Sequence, residues 1–141
     1  QSASLSAKRV NRAGLAAIEA ALDGMREAAG RMKRGPDKAA AEHRFHDCDV
    51  GFHEALALSS GNRMLAYLLE AMAGPLRESF HLSMRGHRLR GRGPDETIAA
   101  HEKILDGVKS GDSRGAGQAM RAHLRDAERD IRAALSGARK S

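Results

Sequence analysis

Apolar residues recur at three- and four-residue steps along nearly the whole chain, and this limits the fold more than any other feature. Leu15, Ile18, Leu22, Met25 and Met32 form one stripe, and Phe45, Phe52 and Leu56 a second. Leu65, Leu68, Leu69, Met72, Leu76 and Phe80 form a third, broader one. Ile98, His101, Leu105 and Val108 make a fourth, and Ala116, Met120, His123, Ala127 and Ile131 a fifth. This period belongs to amphipathic α-helices, which must bury their apolar faces against one another. Composition agrees, because Ala, Leu, Met and Arg favour helix, β-branched residues are scarce and only three prolines occur. The fold class is therefore all-α. At 141 residues the chain suits a single domain, able to bury roughly two thirds of its unfolded surface.

Glycine, proline and Asx residues mark the breaks. The spacing predicts helices over about 7–33, 36–59, 62–85, 95–109 and 113–135. Gly35-Pro36-Asp37 separates the first two, with Pro36 suited to a first helical turn. In Ser59-Ser60-Gly61-Asn62, Gly61 can end one helix and Asn62 cap the next. Ser110-Gly111-Asp112 repeats that logic as a tight hairpin, and Asp95 is a further candidate cap. Gly74-Pro75 interrupts the third stripe, so a kink is expected near residues 71–75. Residues 86–94 (GHRLRGRGP) read as an exposed, mobile basic loop able to meet an anion. The GARKS tail is expected to fray.

Formal charge is +6, but the basic residues are mixed with Asp and Glu along every helix. That pattern describes a solvated surface, so direct nucleic-acid contact by this chain is not expected. Cys48 is the only cysteine, which excludes an internal disulfide and fits a reducing cytoplasm. No apolar run approaches the ~18 residues of a membrane span, and the first residues lack the apolar core of a signal peptide. The chain does not begin with Met, as expected of a fragment or a processed chain.

Four residues stand out within the helical stripes. Asp49 and His53 are four apart, about 40° from each other around a helix, and Asp49 is about 60° from Phe52. A carboxylate beside Phe45 and Phe52 is costly unless it is paired or metal-bound. His101 lies about ten residues before the Gly111 hairpin and His123 about twelve after it. At the helical rise these are roughly 15 and 18 Å from the turn, so both histidines reach similar depth. A lone inward histidine is commonly a hydrogen-bonded core residue. One carboxylate with three imidazoles is a ligand set for a zinc-, nickel- or manganese-class ion. His43, His46, His81 and His87 have weaker claims. Glu78-x-x-His81 is half of a di-iron motif without its second half, and neither His53-Glu54 nor His101-Glu102 is followed by the second histidine of a zincin.

The order of these residues resembles a known family. Asp49-Val50-Gly51-Phe52-His53 followed by Ser59-Ser60-Gly61-Asn62 is similar to the D-x-x-F-H … A/S-S-G-N signature of FadR-type C-terminal domains. These are the effector-binding (FCD) domains of one branch of the GntR transcription regulators. His101-Glu102-x-Ile104-Leu105, Gly111-Asp112 and Ala119-Met120-x-x-His123-Leu124 follow the same family's later pattern. The match runs from about Phe45 to Leu135. It implies an antiparallel bundle of about five to six helices that binds a small organic acid and commonly forms a homodimer. It also implies a divalent metal, zinc first and nickel or manganese next, held by Asp49, His53, His101 and His123. Two departures accompany it. The winged helix-turn-helix domain that would contact DNA is absent from this chain, and the domain's first helix looks incomplete. Ala100 also stands where the family often has Glu.

The resemblance implies a sensing domain over 1–141, not an enzyme: a carboxylate effector bound at the metal would shift the arrangement of a dimer and so alter DNA binding. Arg77, at the edge of the third stripe, is a candidate effector clamp. One alternative is a metalloenzyme, a hydrolase or lyase, which needs a general base near the ion. Glu54 and Glu102 neighbour ligands in sequence but point about 100° away. The other alternative is a purely structural dimerisation bundle.

Overall fold

Asn11 divides the first helical run. Its side chain accepts a hydrogen bond from Gly14 N (2.8 Å), so the chain forms α1 (Ser2–Arg9) and α2 (Arg12–Arg34) where one helix over 7–33 was expected. The computed structural model describes residues 2–138. The remaining helices are α3 (Lys38–Ser59), α4 (Arg63–Ala71), α5 (Ala73–Leu89), α6 (Pro94–Lys109) and α7 (Ser113–Ala138). The described residues thus hold seven helices and no strand, slightly more helices than expected from the stripes. Of the tail expected to fray, residues 139–141 lie outside the described residues.

The expected kink in the third stripe is a full break at Met72. Proline has no N–H to donate to the preceding turn. Restarting the helix at Ala73 puts Pro75 in a first turn, where N–H groups lack intrahelical acceptors anyway. The expected basic loop is also shorter than 86–94, because α5 continues to Leu89. Pro94 opens α6 with Gly93 at the cap position expected of Asp95, which lies inside the first turn, and Glu96 reaches back to accept from Gly93 N (2.8 Å).

The core lies where α2 crosses α3 and where α6 and α7 close over it. Ile18, Leu22, Met25, Phe45, Phe52, Leu56 and Ile104 have no exposed surface. Helix α1 inserts beside α3, α6 and α7, and buried Ser6 donates its hydroxyl to the Leu56 carbonyl (2.6 Å). Gly111, at φ +71, makes the α6–α7 hairpin in a backbone conformation that side chains with a Cβ disfavour. On the other side, α5 packs on α7. They approach so closely at Gly86 that a Cβ there would lie 1.7 Å from the Asp130 carbonyl oxygen.

The third stripe departs most from expectation. Leu68 and Met72 are exposed, and Leu65, Leu69, Leu76 and Phe80 line a cavity rather than the close-packed core.

Candidate metal centre and effector cavity

Helices α3, α6 and α7 bring Asp49, His53, His101 and His123 together. One ligand atom from each lies within 4.8 Å of all the others. Asp49 and His53 come from one face of α3, and the hairpin delivers His101 and His123 at matching depth. The imidazoles cluster tightly: His101 and His123 have ring centroids 4.5 Å apart, His53 and His101 5.3 Å, and His53 stacks on His123 at 5.4 Å.

Asp49 is only 6% exposed and His101 is fully buried. His101 Nε2 lies 2.8 Å from Asp49 Oδ1, and His53 Nε2 lies 3.3 Å from the same oxygen. Burial alone would raise the Asp49 pKa. The charge on His101 and hydrogen bonds from His101 and His53 outweigh it and hold the carboxyl far below its ordinary range. For His101, burial opposes charge, but Asp49 and the Thr97 carbonyl together raise its pKa. His123 is pushed down to about 3 by burial and by its two histidine neighbours, so its ring is neutral at pH 7.

This donor set fits a divalent ion. Opposite vertices of an octahedron with ~2.1 Å bonds are about 4.2 Å apart, so the observed spread needs only a slight contraction. His101 Nδ1–H donates to Thr97 O (2.8 Å), which fixes the ring and leaves Nε2 toward the other ligand atoms. A carbonyl in that position is a usual outer partner of a metal-ligating histidine.

A cavity of about 260 Å³ borders the cluster. Its apolar wall comes from α4 and α5, through Leu65, Leu69, Leu76 and Phe80. Its other polar lining includes His87, Arg92, Asp126 and Asp130. Buried His87 donates Nδ1–H to Asp130 Oδ2 (2.7 Å), Arg90 also pairs with Asp130, and Arg92 lies 3.3 Å from Asp126. Arg90 and Arg92, expected in an exposed basic loop, are therefore paired with carboxylates of α7, while Arg88 faces Glu42 of α3.

Arg77 is not brought to this site. Its Nε donates to Asp47 Oδ1 (2.6 Å) at the surface, and it does not line the cavity. Glu102 is committed to Arg26 (2.7 Å), and neither Glu54 nor Glu102 lines the cavity. His46 and His87, whose positions make only a weaker claim in the sequence, are both buried and line the cavity, as does Arg92, for which the sequence suggests no separate role. The only signal for the last two was the basic run around them.

A family model, the FCD domain, matches residues 1–126. The chain belongs to this family. The FCD domain is the C-terminal effector-binding domain of GntR-family regulators, so the chain is a regulator's ligand-sensing domain. The match reaches well upstream of the Phe45–Leu135 stretch that carries the visible motifs. No curated protein matches the chain. Regulators of this kind are typically not enzymes. Among the described residues, no helix is long and apolar enough to cross a membrane.

Proposed function

We propose that this FCD domain senses a small carboxylate through a divalent ion held by Asp49, His53, His101 and His123. The observation that carries the reading is the convergence of these four side chains on the border of the 260 Å³ cavity. Zinc is the first candidate and nickel or manganese the next, since imidazole and carboxylate suit all three. Such an ion supplies open coordination positions for a carboxylate. Leu69, Leu76 and Phe80 would cover the effector's carbon skeleton. His87 has Nδ1–H committed to Asp130 and Nε2 without a partner, so it offers an acceptor to an effector hydroxyl or amine. Arg92 replaces Arg77 as the nearest candidate for a second acidic group.

Sensing then follows as a population shift. An effector that touches both the α3 cluster and the α4–α5 wall favours the arrangement in which these are closed together. In a full-length cytoplasmic regulator this would change the separation of two DNA-binding domains in a homodimer. Exposed Met64, Tyr67, Leu68 and Met72 offer apolar surface that a second copy would cover. A chain that sediments as a monomer at all concentrations rejects the dimer.

The deciding experiment is elemental analysis of wild type beside the His101→Ala/His123→Ala variant, followed by thermal-shift screening of small mono-, di- and hydroxycarboxylates. About one equivalent of metal at this site in wild type is expected, absent from the variant, with carboxylate-induced stabilisation only in metal-loaded protein. Failure of wild type to hold zinc, nickel or manganese after reconstitution sinks the proposal.

A further inference from the structure

Helix α3 carries a second ligand group about two turns before the first. Glu42, His46, Asp49 and His53 fall at i, i+4, i+7 and i+11, a single stripe on one helical face. The upper pair meets His81 from α5. Glu42, His46 and His81 offer ligand atoms that all lie within 4.8 Å of one another.

His46 is the unusual member. It is 5% exposed, yet neither ring nitrogen has a hydrogen-bond partner. Buried polar groups are ordinarily paired, so two orphaned nitrogens on one ring need an explanation. Glu42 Oε1 stands 3.6 Å from His46 Nε2, beyond hydrogen-bond reach, and 3.3 Å from His81 Nδ1. Both separations are close to the ~3.3 Å edge of a tetrahedron with ~2.0–2.1 Å bonds. Burial lowers the pKa of His46, which keeps a lone pair available at neutral pH. Arg88 approaches both Glu42 oxygens at 3.4 Å. With Oε1 taken by an ion, Oε2 still faces the guanidinium, an outer partner of the kind that orients ligating carboxylates.

We propose that Glu42, His46 and His81 form a second divalent-cation site that clasps α5 onto α3. At the helical rise, seven residues separate the two sites by about 10 Å, so they are independent mononuclear sites. The clasp has a consequence for sensing. His46 and Phe80, next to His81, both line the cavity. An ion in this site fixes the α5 wall relative to the α3 cluster, where the effector would bridge them. Three protein ligands, one of them on a half-exposed helix, make it the weaker and more readily exchanged of the two sites.

The test is equilibrium dialysis of the metal-free full chain against cobalt(II) or zinc(II) near pH 7.5. Wild type, His81→Ala, Glu42→Gln and His101→Ala/His123→Ala are compared. His81 has a 58% exposed side chain, so its truncation is compatible with folding, and Glu42→Gln keeps the side-chain shape. The expected result is about two equivalents in wild type and about one in each variant. Two equivalents retained in both His81→Ala and Glu42→Gln overturn the clasp. One equivalent in wild type that survives in both variants also overturns it and leaves the Asp49 site standing. One equivalent that survives only in His101→Ala/His123→Ala supports the clasp and rejects the Asp49 site.

Discussion

His101 makes two hydrogen bonds that a neutral imidazole cannot both donate. Thr97 O accepts at Nδ1 and the Asp49 carboxylate accepts at Nε2. A neutral ring has one N–H, so the metal-free arrangement is an imidazolium beside a carboxylate. Its raised pKa says the same. An ion at this site must displace the Nε2 proton, while Nδ1–H stays on Thr97. Metal uptake near neutral pH should therefore release about one proton from His101, and affinity should fall as pH drops below the raised pKa. Calorimetry in buffers of different ionisation enthalpy reads the proton directly; uptake with no proton release contradicts the assignment. The metal-free domain has its own pH profile. The His101 contribution is complete below its ordinary 6.5 and fades as pH rises through the raised value. His123 acts in the opposite sense. Its folded pKa of about 3 lies below 6.5, so protonation of the unfolded chain removes stability as pH falls between those values. The Tm of metal-free protein should peak near pH 6.5, and His123→Asn should flatten the acid side.

Helix α5 is the element on which both the cavity and the proposed clasp depend. It is held to α7 through Gly86 and the His87–Asp130–Arg90 contacts. Any Cβ at Gly86 meets the α7 backbone, which cannot move aside as a side chain can. Gly86→Ala should cost more than the ~1–3 kcal/mol typical of an overpacked core, and it should weaken carboxylate binding together with stability. Thermal unfolding and the ligand screen test this; an unchanged Tm would show that α5 is not seated as described. The same helix marks the limit of what the sequence discloses. The stripes on α2, α3, α6 and α7 announce the core because each faces close-packed neighbours. The four ligand residues are legible because Asp49 and His53 share a helix face and the Gly111 hairpin sets the depth of the other two. The break at Met72 falls within the 71–75 interval that Gly74-Pro75 marks, whereas the break at Asn11 interrupts a run of good helix formers, so local propensity does not reveal it. His46 and His87 become buried only because α5 lies where it does, and that depends on contacts between residues 40–50 apart in sequence, such as His87 with Asp130. The Leu65–Phe80 stripe reads as core in sequence because a cavity wall and a packed core use the same apolar spacing.

Across the whole molecule, the surface contributes little to holding these helices together. The pairs Arg26–Glu102 and Lys109–Glu19 join α2 to α6, but both are well exposed and such pairs contribute about 0–1 kcal/mol each. Stability therefore rests on the α2–α3 core and on whatever ties α3 to the α6–α7 hairpin. In the metal-free state that tie is a buried carboxylate with one imidazolium and two further imidazoles, an arrangement with a large desolvation cost. A divalent ion would satisfy all four groups at once and link three helices through one point. Binding to the folded state alone stabilises by RT ln(1 + [M]/Kd), about 4 kcal/mol when free metal is a thousandfold above Kd. For a domain of this size that corresponds to a rise in Tm of about 8–16 °C. Chelation of metal-loaded wild type should lower Tm by that order, and readdition should restore it. His101→Ala/His123→Ala should unfold at a temperature largely insensitive to chelator, because only the weaker clasp at Glu42, His46 and His81 remains. A wild-type Tm that does not respond to chelator, in protein shown to contain metal, would mean that the ion sits outside the helix junction and that Asp49, His53, His101 and His123 are a polar core rather than a metal centre.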